Sequence, residues 1–191
     1  GRARAGGASH GGTCGMSLRT ICFHGPESTG KSTLAARLAA HLGTELVGEY
    51  GREWCEANGT YTSMADLVDI ATEHLHRIGE ARARAEAKGA QWLVLDTDPV
   101  MTAVWAEMLH GNQHRFFGTL PHITDLYLVP DVDLRWVEDG LRYFGDPDIR
   151  RRFMELSLQE LDRRHLPYAM IRGKDDARFA NVLKAVRTQF G

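Results

Sequence analysis

The chain has 191 residues, which is enough for one domain with a sizeable core. Hydrophobic residues make up 43% of it and charged residues 25%, as in ordinary globular proteins, and the formal net charge is −2. This balance gives no general reason to bind nucleic acid or an anionic membrane, and no apolar run approaches the roughly 20 residues of a membrane-spanning helix. The three cysteines form no C-x-x-C pair, so we expect neither a disulfide framework nor a zinc site, and we expect a reducing, cytoplasmic setting.

The first fifteen residues differ in composition from the rest of the chain. Residues 1–15 are rich in glycine and almost without apolar side chains, so they cannot bury enough surface to offset the entropy of ordering. They also lack the apolar stretch of a signal peptide. We interpret them as a disordered tail or an expression remnant, and residues 16–191 as one domain.

From residue 16 onward, short apolar runs alternate with segments of helical periodicity. The first run ends at Gly-Pro, as is typical of a buried strand, and the next segment carries leucines in helical spacing before a glycine. This alternation predicts an α/β fold with a parallel sheet covered by helices on both faces. The predicted strands are residues 19–24, 45–47, 91–96, 125–129 and 168–171, and the predicted helices are residues 32–42, 63–88, 99–110, 147–165 and 177–190.

The strongest chemical motif follows the first predicted strand. Residues 25–32, GPESTGKS, fit the P-loop pattern G-x-x-x-x-G-K-[ST]. Its glycines let backbone N–H groups turn towards phosphate oxygens, and the following helix adds the positive end of its dipole. We expect Lys31 to contact the β- and γ-phosphates of ATP and the Ser32 hydroxyl to bind Mg²⁺. The predicted ATP-binding residues are Gly25, Glu27, Ser28, Thr29, Gly30, Lys31, Ser32 and Thr33.

Two acids follow the predicted strand that ends near Leu95. An acid at the end of a buried strand matches a Walker B position, so we expect Asp96 to belong to the Mg²⁺ site. If the chain stays extended, Asp98 points the same way and could serve a substrate hydroxyl or a water. The alternative for Asp98 is that it only caps the helix that begins at Pro99.

The segment 49–53, EYGRE, follows the second predicted strand. Ligands of open α/β sheets bind outside the carboxyl ends of the strands, so this segment is expected to face the same crevice. Glu49 could orient or deprotonate an acceptor hydroxyl, and Arg52 could bind phosphate. The alternative for both is a surface ion pair. Tyr50 is assigned to the same predicted substrate site.

A charged stretch separates the predicted strand at 125–129 from the next helix. Residues 130–152 contain five arginines among several acids. Phosphoryl transfer often uses a mobile arginine-bearing lid, because charge develops on the transferring group and water must be excluded. We therefore predict a lid here with Arg142 as its catalytic arginine. The alternative is a solvated loop of mixed charge.

The histidines and tryptophans give weaker signals. None of the nine histidines has a persuasive metal-ligand spacing, and His74 and His76 face different sides of a predicted helix, so we interpret them as surface or core residues. A tryptophan could stack on a flat base, although tryptophans are more often core residues. Of Trp54, Trp105 and Trp136, we include Trp105 in the predicted substrate site.

The motifs favour a kinase that acts on a small molecule. The N-K-x-D motif of GTPases is missing from the sequence, and the chain is shorter than most motors and helicases. Two alternatives stay open. A P-loop ATPase switch predicts hydrolysis without an acceptor, and an ATP-sensing module predicts binding without turnover.

Several segments resemble the ribosylnicotinamide kinase domain of the NadR-like family, an AAA-type ATPase-like P-loop domain. The order E-Y-x-R-E, D-T-D and W-V-x-D-G-x-R is more diagnostic of it than the P-loop alone. The matching segments are GPESTGKSTL at 25–34, VGEYGRE at 47–53, LDTDPVMTAVWAEMLHG at 95–111, DLYLVPDVDLRWVEDGLR at 125–142 and LPYAMIRG at 166–173.

The resemblance implies a fold and an activity. The implied fold is that of nucleoside and nucleotide kinases, with the P-loop strand central in a five-stranded parallel sheet. The implied activity is ATP-dependent phosphorylation of the 5′-hydroxyl of nicotinamide riboside, which gives nicotinamide mononucleotide for NAD synthesis. Full-length family members also carry a helix-turn-helix and a nucleotidylyltransferase domain with an H-x-G-H-type motif. Neither is found in these 191 residues, so we expect this chain neither to bind DNA nor to transfer an adenylyl group.

Overall fold

A computed structural model describes residues 17–132 and 146–191. The predicted tail at 1–15 and the predicted lid arginine Arg142 lie outside these residues. The strands are β1 (Arg19–Phe23), β2 (Leu46–Val47), β3 (Trp92–Leu95), β4 (Leu126–Pro130) and β5 (Tyr168–Ile171). The helices are α1 (Lys31–Leu42), α2 (Tyr50–Asn58), α3 (Met64–Ala87), α4 (Pro99–His110), α5 (Pro147–Arg163) and α6 (Asp175–Phe190), with a short 3₁₀ helix at Arg115–Thr119.

The five strands form one parallel sheet in the order β2-β3-β1-β4-β5. In the centre, Ile21 of β1 is in register with Val94 of β3 on one side and Leu126 of β4 on the other. The prediction of a parallel sheet with the P-loop strand at its centre is therefore confirmed. Because parallel strands end at the same edge, the loops after β1, β2, β3 and β4 come together there.

Alternating residues of the strands enter two hydrophobic cores, one on each face of the sheet. One core joins the sheet to α1 and α6, and the other joins it to α3 and α5. Both faces are covered, which explains why the strands are continuous apolar runs. The first core includes Ile21, Phe23, Leu34, Leu38, Val94, Leu128 and Val182, and the second includes Cys22, Ile78, Leu93, Leu95, Tyr127, Met154 and Leu161.

Local sequence signals fix the start of α3. The backbone N–H of Ser63 donates to Asp66 Oδ2 at 2.8 Å, and the backbone N–H of Asp66 donates to Ser63 Oγ at 3.2 Å. This reciprocal capping box satisfies two N–H groups that the first helical turn leaves without partners. The box explains why this long helix begins where the sequence predicts a helix, at its N-cap Ser63.

Helix α2 is the main element that the sequence pattern does not predict. It has no fully buried residue and begins at Tyr50, inside the segment that the sequence predicts to belong to the substrate site. Tyr50 and Trp54 pack against a small core shared with α3, and a Cβ on Gly51 would lie 3.7 Å from Ile70 Cγ2. Tertiary contact with α3 therefore supports a helix whose own apolar pattern is weak.

No helix within residues 17–132 and 146–191 combines the length and the apolar character that are needed to cross a membrane.

Candidate active site

The loop after β1 has backbone angles that its glycines make possible. Gly25 has φ +116° and Gly30 has φ +81°, both in the region that side-chain-bearing residues rarely adopt. A Cβ on Gly25 would also lie 3.4 Å from Val129 Cγ1. Between the glycines, Ser28 also has a positive φ, of 56°. These angles wrap the backbone into the concave shape that receives phosphate.

The beginning of α1 offers donors to an anion. Gly30 is the N-cap and supplies no side-chain hydrogen bond, so the first N–H groups of the helix are not occupied by a capping side chain. Lys31 Nζ donates to the Pro26 carbonyl at 2.8 Å, which holds the ammonium over the loop, and an ammonium has further donors for phosphate oxygens. The Ser32 side chain belongs to an exposed residue beside it.

A cleft of about 340 Å³ extends from the P-loop to a compartment between α2, α3 and α4. One end carries the lysine and hydroxyl groups of the P-loop, and the other carries mostly apolar and uncharged side chains. The P-loop end is lined by Glu27, Ser28, Gly30, Lys31, Ser32 and Thr33, and the remainder by Glu49, Gly51, Arg52, Cys55, Thr62, Leu67, Ile70, His74, Thr97, Met101, Thr102, Trp105 and Leu109.

Glu49 lines the cleft near the P-loop lysine. It is the residue before α2, and its carboxylate is close enough to Lys31 and Arg52 for both cations to stabilise its charged form. Burial and the neighbouring Asp96 act in the opposite direction, and burial dominates, so the pKa of Glu49 is raised above its ordinary value. A carboxylate with a raised pKa, beside the P-loop lysine, is suited to take a proton from a hydroxyl group.

Asp96 is the first residue after β3. Its backbone N–H donates to the Val47 carbonyl at 2.9 Å, and its side chain is buried. Within the described residues, Asp96 Oδ1 has no hydrogen-bond partner. A buried carboxylate oxygen without a donor fits a cation or a water of its hydration shell, which is the role expected for a Walker B acid.

Asp98 has a different environment from Asp96. It is fully buried, its Oδ1 accepts from the Val100 N–H at 3.0 Å, and its Oδ2 accepts from Thr124 Oγ1 at 3.0 Å and from the Tyr127 hydroxyl at 2.6 Å. Burial raises its pKa, although these three hydrogen bonds act to lower it. The capping alternative is therefore observed, and Asp98 does not line the cleft.

The structure brings together most, but not all, of the predicted site residues. Tyr50 packs beneath Arg77, whose guanidinium carbon lies 4.1 Å from the ring centroid, and does not line the cleft. Gly25 and Thr29 shape the loop, and Thr29 Oγ1 donates to the Pro26 carbonyl at 2.9 Å. The predicted residues that line the cleft are Glu27, Ser28, Gly30, Lys31, Ser32, Thr33, Glu49, Arg52 and Trp105.

Sequence reasoning missed the wall of the cleft formed by α3. Leu67, Ile70 and His74 are spaced by three and four residues, so they share one face of the helix. That periodicity is visible in the sequence, but it is identical for a face that packs in a core and a face that lines a cleft. Only the position of α2 and α4 opposite α3 distinguishes the two.

A buried arginine connects the P-loop to the loops after β4 and β5. Arg178 Nη2 donates to the carbonyls of Thr29 at 3.1 Å and Asp131 at 2.7 Å, and Nη1 donates to the carbonyl of Gly173 at 2.7 Å. Its side chain is only 2% exposed. Since one guanidinium serves three loops at the carboxyl edge of the sheet, Arg178 fixes the P-loop relative to that edge.

Comparison with known proteins agrees with this geometry. The profile of the AAA domain family matches residues 20–178. The trifunctional NAD biosynthesis/regulator protein NadR of Escherichia coli (strain K12) is 30% identical over 181 residues, which cover 91% of this chain. The chain spans only 43% of the length of that relative.

Solved structures share the fold. A crystal structure of NadR protein in complex with NR has a TM-score of 0.73 at 24% identity and covers 90% of this chain and 51% of that chain. A crystal structure of NadR protein in complex with NAD and AMP-PNP has a TM-score of 0.70 at 23% identity. The match covers 91% of this chain and 50% of that chain. Thymidylate kinase from Ehrlichia chaffeensis has a TM-score of 0.66 at 15% identity. The match covers 90% of this chain and 98% of that chain. The chain therefore belongs to the AAA domain family, and the resemblance to NadR seen in its motifs is confirmed.

Proposed function

We propose that this protein is an ATP-dependent kinase that phosphorylates the 5′-hydroxyl of nicotinamide riboside and forms nicotinamide mononucleotide. The observation that carries the proposal is the continuous cleft, whose lining includes the P-loop, Glu49 and a largely apolar compartment. A P-loop with its own small-molecule compartment is suited to transfer a phosphoryl group to an acceptor. The NadR relatives, one with NR and one with AMP-PNP, support the choice of acceptor and donor.

The proposed reaction is a direct in-line transfer. A bond forms between the 5′-oxygen of the acceptor and the γ-phosphorus, while the bond from that phosphorus to the β–γ bridging oxygen breaks and ADP leaves. Glu49 accepts the proton of the acceptor hydroxyl. Lys31 and the backbone N–H groups of the P-loop stabilise the negative charge of the phosphates. Most of the catalytic effect then comes from positioning and electrostatics.

The residues beside the P-loop fit a magnesium site. Ser32 offers an exposed hydroxyl, and Asp96 offers the buried carboxylate oxygen without a partner among the described residues. The described residues contain no group of three or more histidine, cysteine or acidic side chains that could hold a metal. This suits Mg²⁺, which is usually bound by one or two protein ligands together with water and substrate phosphates. When bound there, Mg²⁺ would neutralise charge on the phosphate oxygens.

The acceptor compartment has an apolar wall that suits the flat base of a nucleoside. Its walls include Leu67, Ile70, Met101, Trp105 and Leu109, which favour contact with a flat base. Trp105 is held by the Phe153 ring, whose centroid lies 4.7 Å from its own, so its indole presents a fixed surface. A fixed surface costs little conformational entropy when the ligand binds.

A substrate panel tests the proposal. The protein is incubated with Mg·ATP and several nucleosides, including nicotinamide riboside, and the products are identified by mass spectrometry. We expect nicotinamide mononucleotide to appear in step with ADP. Phosphorylation of another nucleoside would support the kinase activity but show that the acceptor is not nicotinamide riboside. Release of ADP with no phosphorylated acceptor would instead support an ATPase switch.

A further inference from the structure

His74 is a buried residue in the wall of the cleft that the proposed reaction does not use. It lies on α3, on the same face as Leu67 and Ile70, and only 2% of it is exposed. All three residues line the cleft. A polar ring in an otherwise apolar wall requires a hydrogen-bonding explanation.

One nitrogen of the ring has a partner in the protein and the other does not. The imidazole donates a hydrogen bond to the backbone of Gly48, whereas Nε2 is buried and has no partner among the described residues. Burial is the main cause that lowers the pKa of His74 to about 4; Arg77 lowers it further, while Glu53 and the Gly48 hydrogen bond raise it. The ring is therefore neutral at pH 7. A neutral imidazole that donates from Nδ1 carries an acceptor lone pair on Nε2.

The position of His74 along the cleft indicates which part of a bound nucleoside its Nε2 would meet. Its partner Gly48 is the residue before Glu49, so His74 lies near the end of the cleft where the acceptor hydroxyl meets the phosphates. Thr62 lines the cleft next to the start of α3, and roughly 16 Å of helix separates Ser63 from His74 at about 1.5 Å per residue. A nucleoside with its 5′-hydroxyl at Glu49 therefore has its sugar, and not its base, beside His74.

We propose that His74 Nε2 accepts a hydrogen bond from a secondary hydroxyl of the acceptor's sugar and makes the cleft selective for ribosides over deoxyribosides. The inference rests on the proposed function, because it takes the acceptor to be a nucleoside. A hydroxyl donor satisfies the buried nitrogen, and an analogue without that hydroxyl leaves it without a partner, which a buried site penalises.

Binding measurements test this selectivity separately from turnover. Titration calorimetry gives the Kd of nicotinamide riboside, its 2′-deoxy analogue and its 3′-deoxy analogue with wild-type protein and with His74→Leu, His74→Gln and His76→Leu. The matched control is His76, which lies on the same helix with its side chain 66% exposed. Steady-state kinetics with the same ligands give KM and kcat.

We expect the wild type to bind the riboside about tenfold more tightly than one of the two deoxy analogues, as for one hydrogen bond. In His74→Leu this ratio falls to near one, and KM for the riboside rises with little change in kcat. His74→Gln retains part of the ratio, since its amide oxygen can accept a hydrogen bond. His76→Leu behaves as the wild type.

Two results would overturn the inference. One is a wild type that binds both deoxy analogues as tightly as the riboside, which needs no variant and so does not depend on whether His74→Leu folds. The other is a ratio that His74→Leu leaves unchanged. Riboside binding with the expected ratios but no phosphorylated product would refute the proposed function alone, and absence of binding to all three ligands would refute both.

Discussion

Glu49 and Asp98 are both acids placed shortly after a strand, and their surroundings give them different chemistry. Asp98 receives three hydrogen bonds from Val100, Thr124 and Tyr127 in a fully buried site, so its carboxylate is fully engaged by the fold. Glu49 lines the cleft, and its pKa is raised chiefly by burial. We therefore propose that Glu49, and not Asp98, positions the acceptor hydroxyl.

Replacing Glu49 tests this assignment. We expect Glu49→Gln to lower kcat by about 10²–10⁴-fold, because the amide cannot take the proton, while the Kd for ATP changes little. In the wild type the base must be ionised. Its raised pKa therefore moves the acid limb of the kcat/KM profile to a pH above the ordinary glutamate value of 4.5, and activity falls as the pH drops through that limb. Near-normal turnover of a folded Glu49→Gln protein would exclude Glu49 as the base.

Replacing Asp98 should lower the stability of the fold, whereas replacing Glu49 should lower kcat. Asp98→Ala removes the cap of α4 and leaves the hydroxyls of Tyr127 and Thr124 without their acceptor. We expect the free energy of unfolding to fall by about 2–4 kcal/mol, measured by urea denaturation. A variant of wild-type stability that has lost phosphoryl transfer would return the hydroxyl-positioning role to Asp98.

At the scale of elements, α6 is coupled to the P-loop through one side chain. Arg178, in the first turn of α6, donates to three carbonyls that belong to the loops after β1, β4 and β5. These loops converge because their strands are parallel neighbours in the sheet. The planar guanidinium matters here, because its two Nη groups donate to separate carbonyls at fixed angles. A lysine has a single ammonium and cannot donate to all three carbonyls in this arrangement.

Removing this arginine should loosen the nucleotide site. We expect Arg178→Met to lower the free energy of unfolding by about 2–4 kcal/mol and to raise the Kd for ATP, because the Thr29 carbonyl loses a charged donor. Arg187, exposed near the other end of α6, gives the matched control Arg187→Met, which should change neither quantity. The measurements are urea denaturation and nucleotide titration. A Kd for ATP that stays unchanged in Arg178→Met would show that the P-loop keeps its shape without this contact.

At the scale of the whole molecule, nucleotide binding should be visible as stability. A ligand that binds only the folded state at 100 times its Kd raises the free energy of unfolding by about 2.7 kcal/mol. We expect Mg·ATP to raise the urea midpoint of the wild type, and Lys31→Ala to lose most of this increase. Lys88→Ala, at the exposed end of α3, should keep it. An equal increase in Lys31→Ala would mean that this lysine does not hold the phosphates.

The sequence by itself determined the sheet and one end of the cleft. Apolar runs that alternate with helical segments specify parallel strands, because both faces of such a sheet must be buried. The P-loop is local as well: its phosphate-binding shape follows from Gly25, Gly30 and Lys31, which lie within seven consecutive positions. The place of Asp96 at the carboxyl edge is local too, since an acid that ends a buried strand lies there wherever that strand pairs; its part in a magnesium site stays a prediction.

Only the tertiary structure decided the other end of the cleft. The same spacing that places Leu67, Ile70 and His74 on one face of α3 would serve a closed core equally well, and the packing of α2 and α4 opposite that face decides that it borders a cleft. The hydrogen bonds of Asp98 to Thr124 and Tyr127 and two of the hydrogen bonds of Arg178 were likewise hidden, because these partners lie far away in the sequence. The cap that Asp98 forms on α4 is local, and the sequence offered it as an alternative. Hydrogen bonds between distant residues depend on how the strands are ordered in the sheet, and local periodicity carries no information about that order.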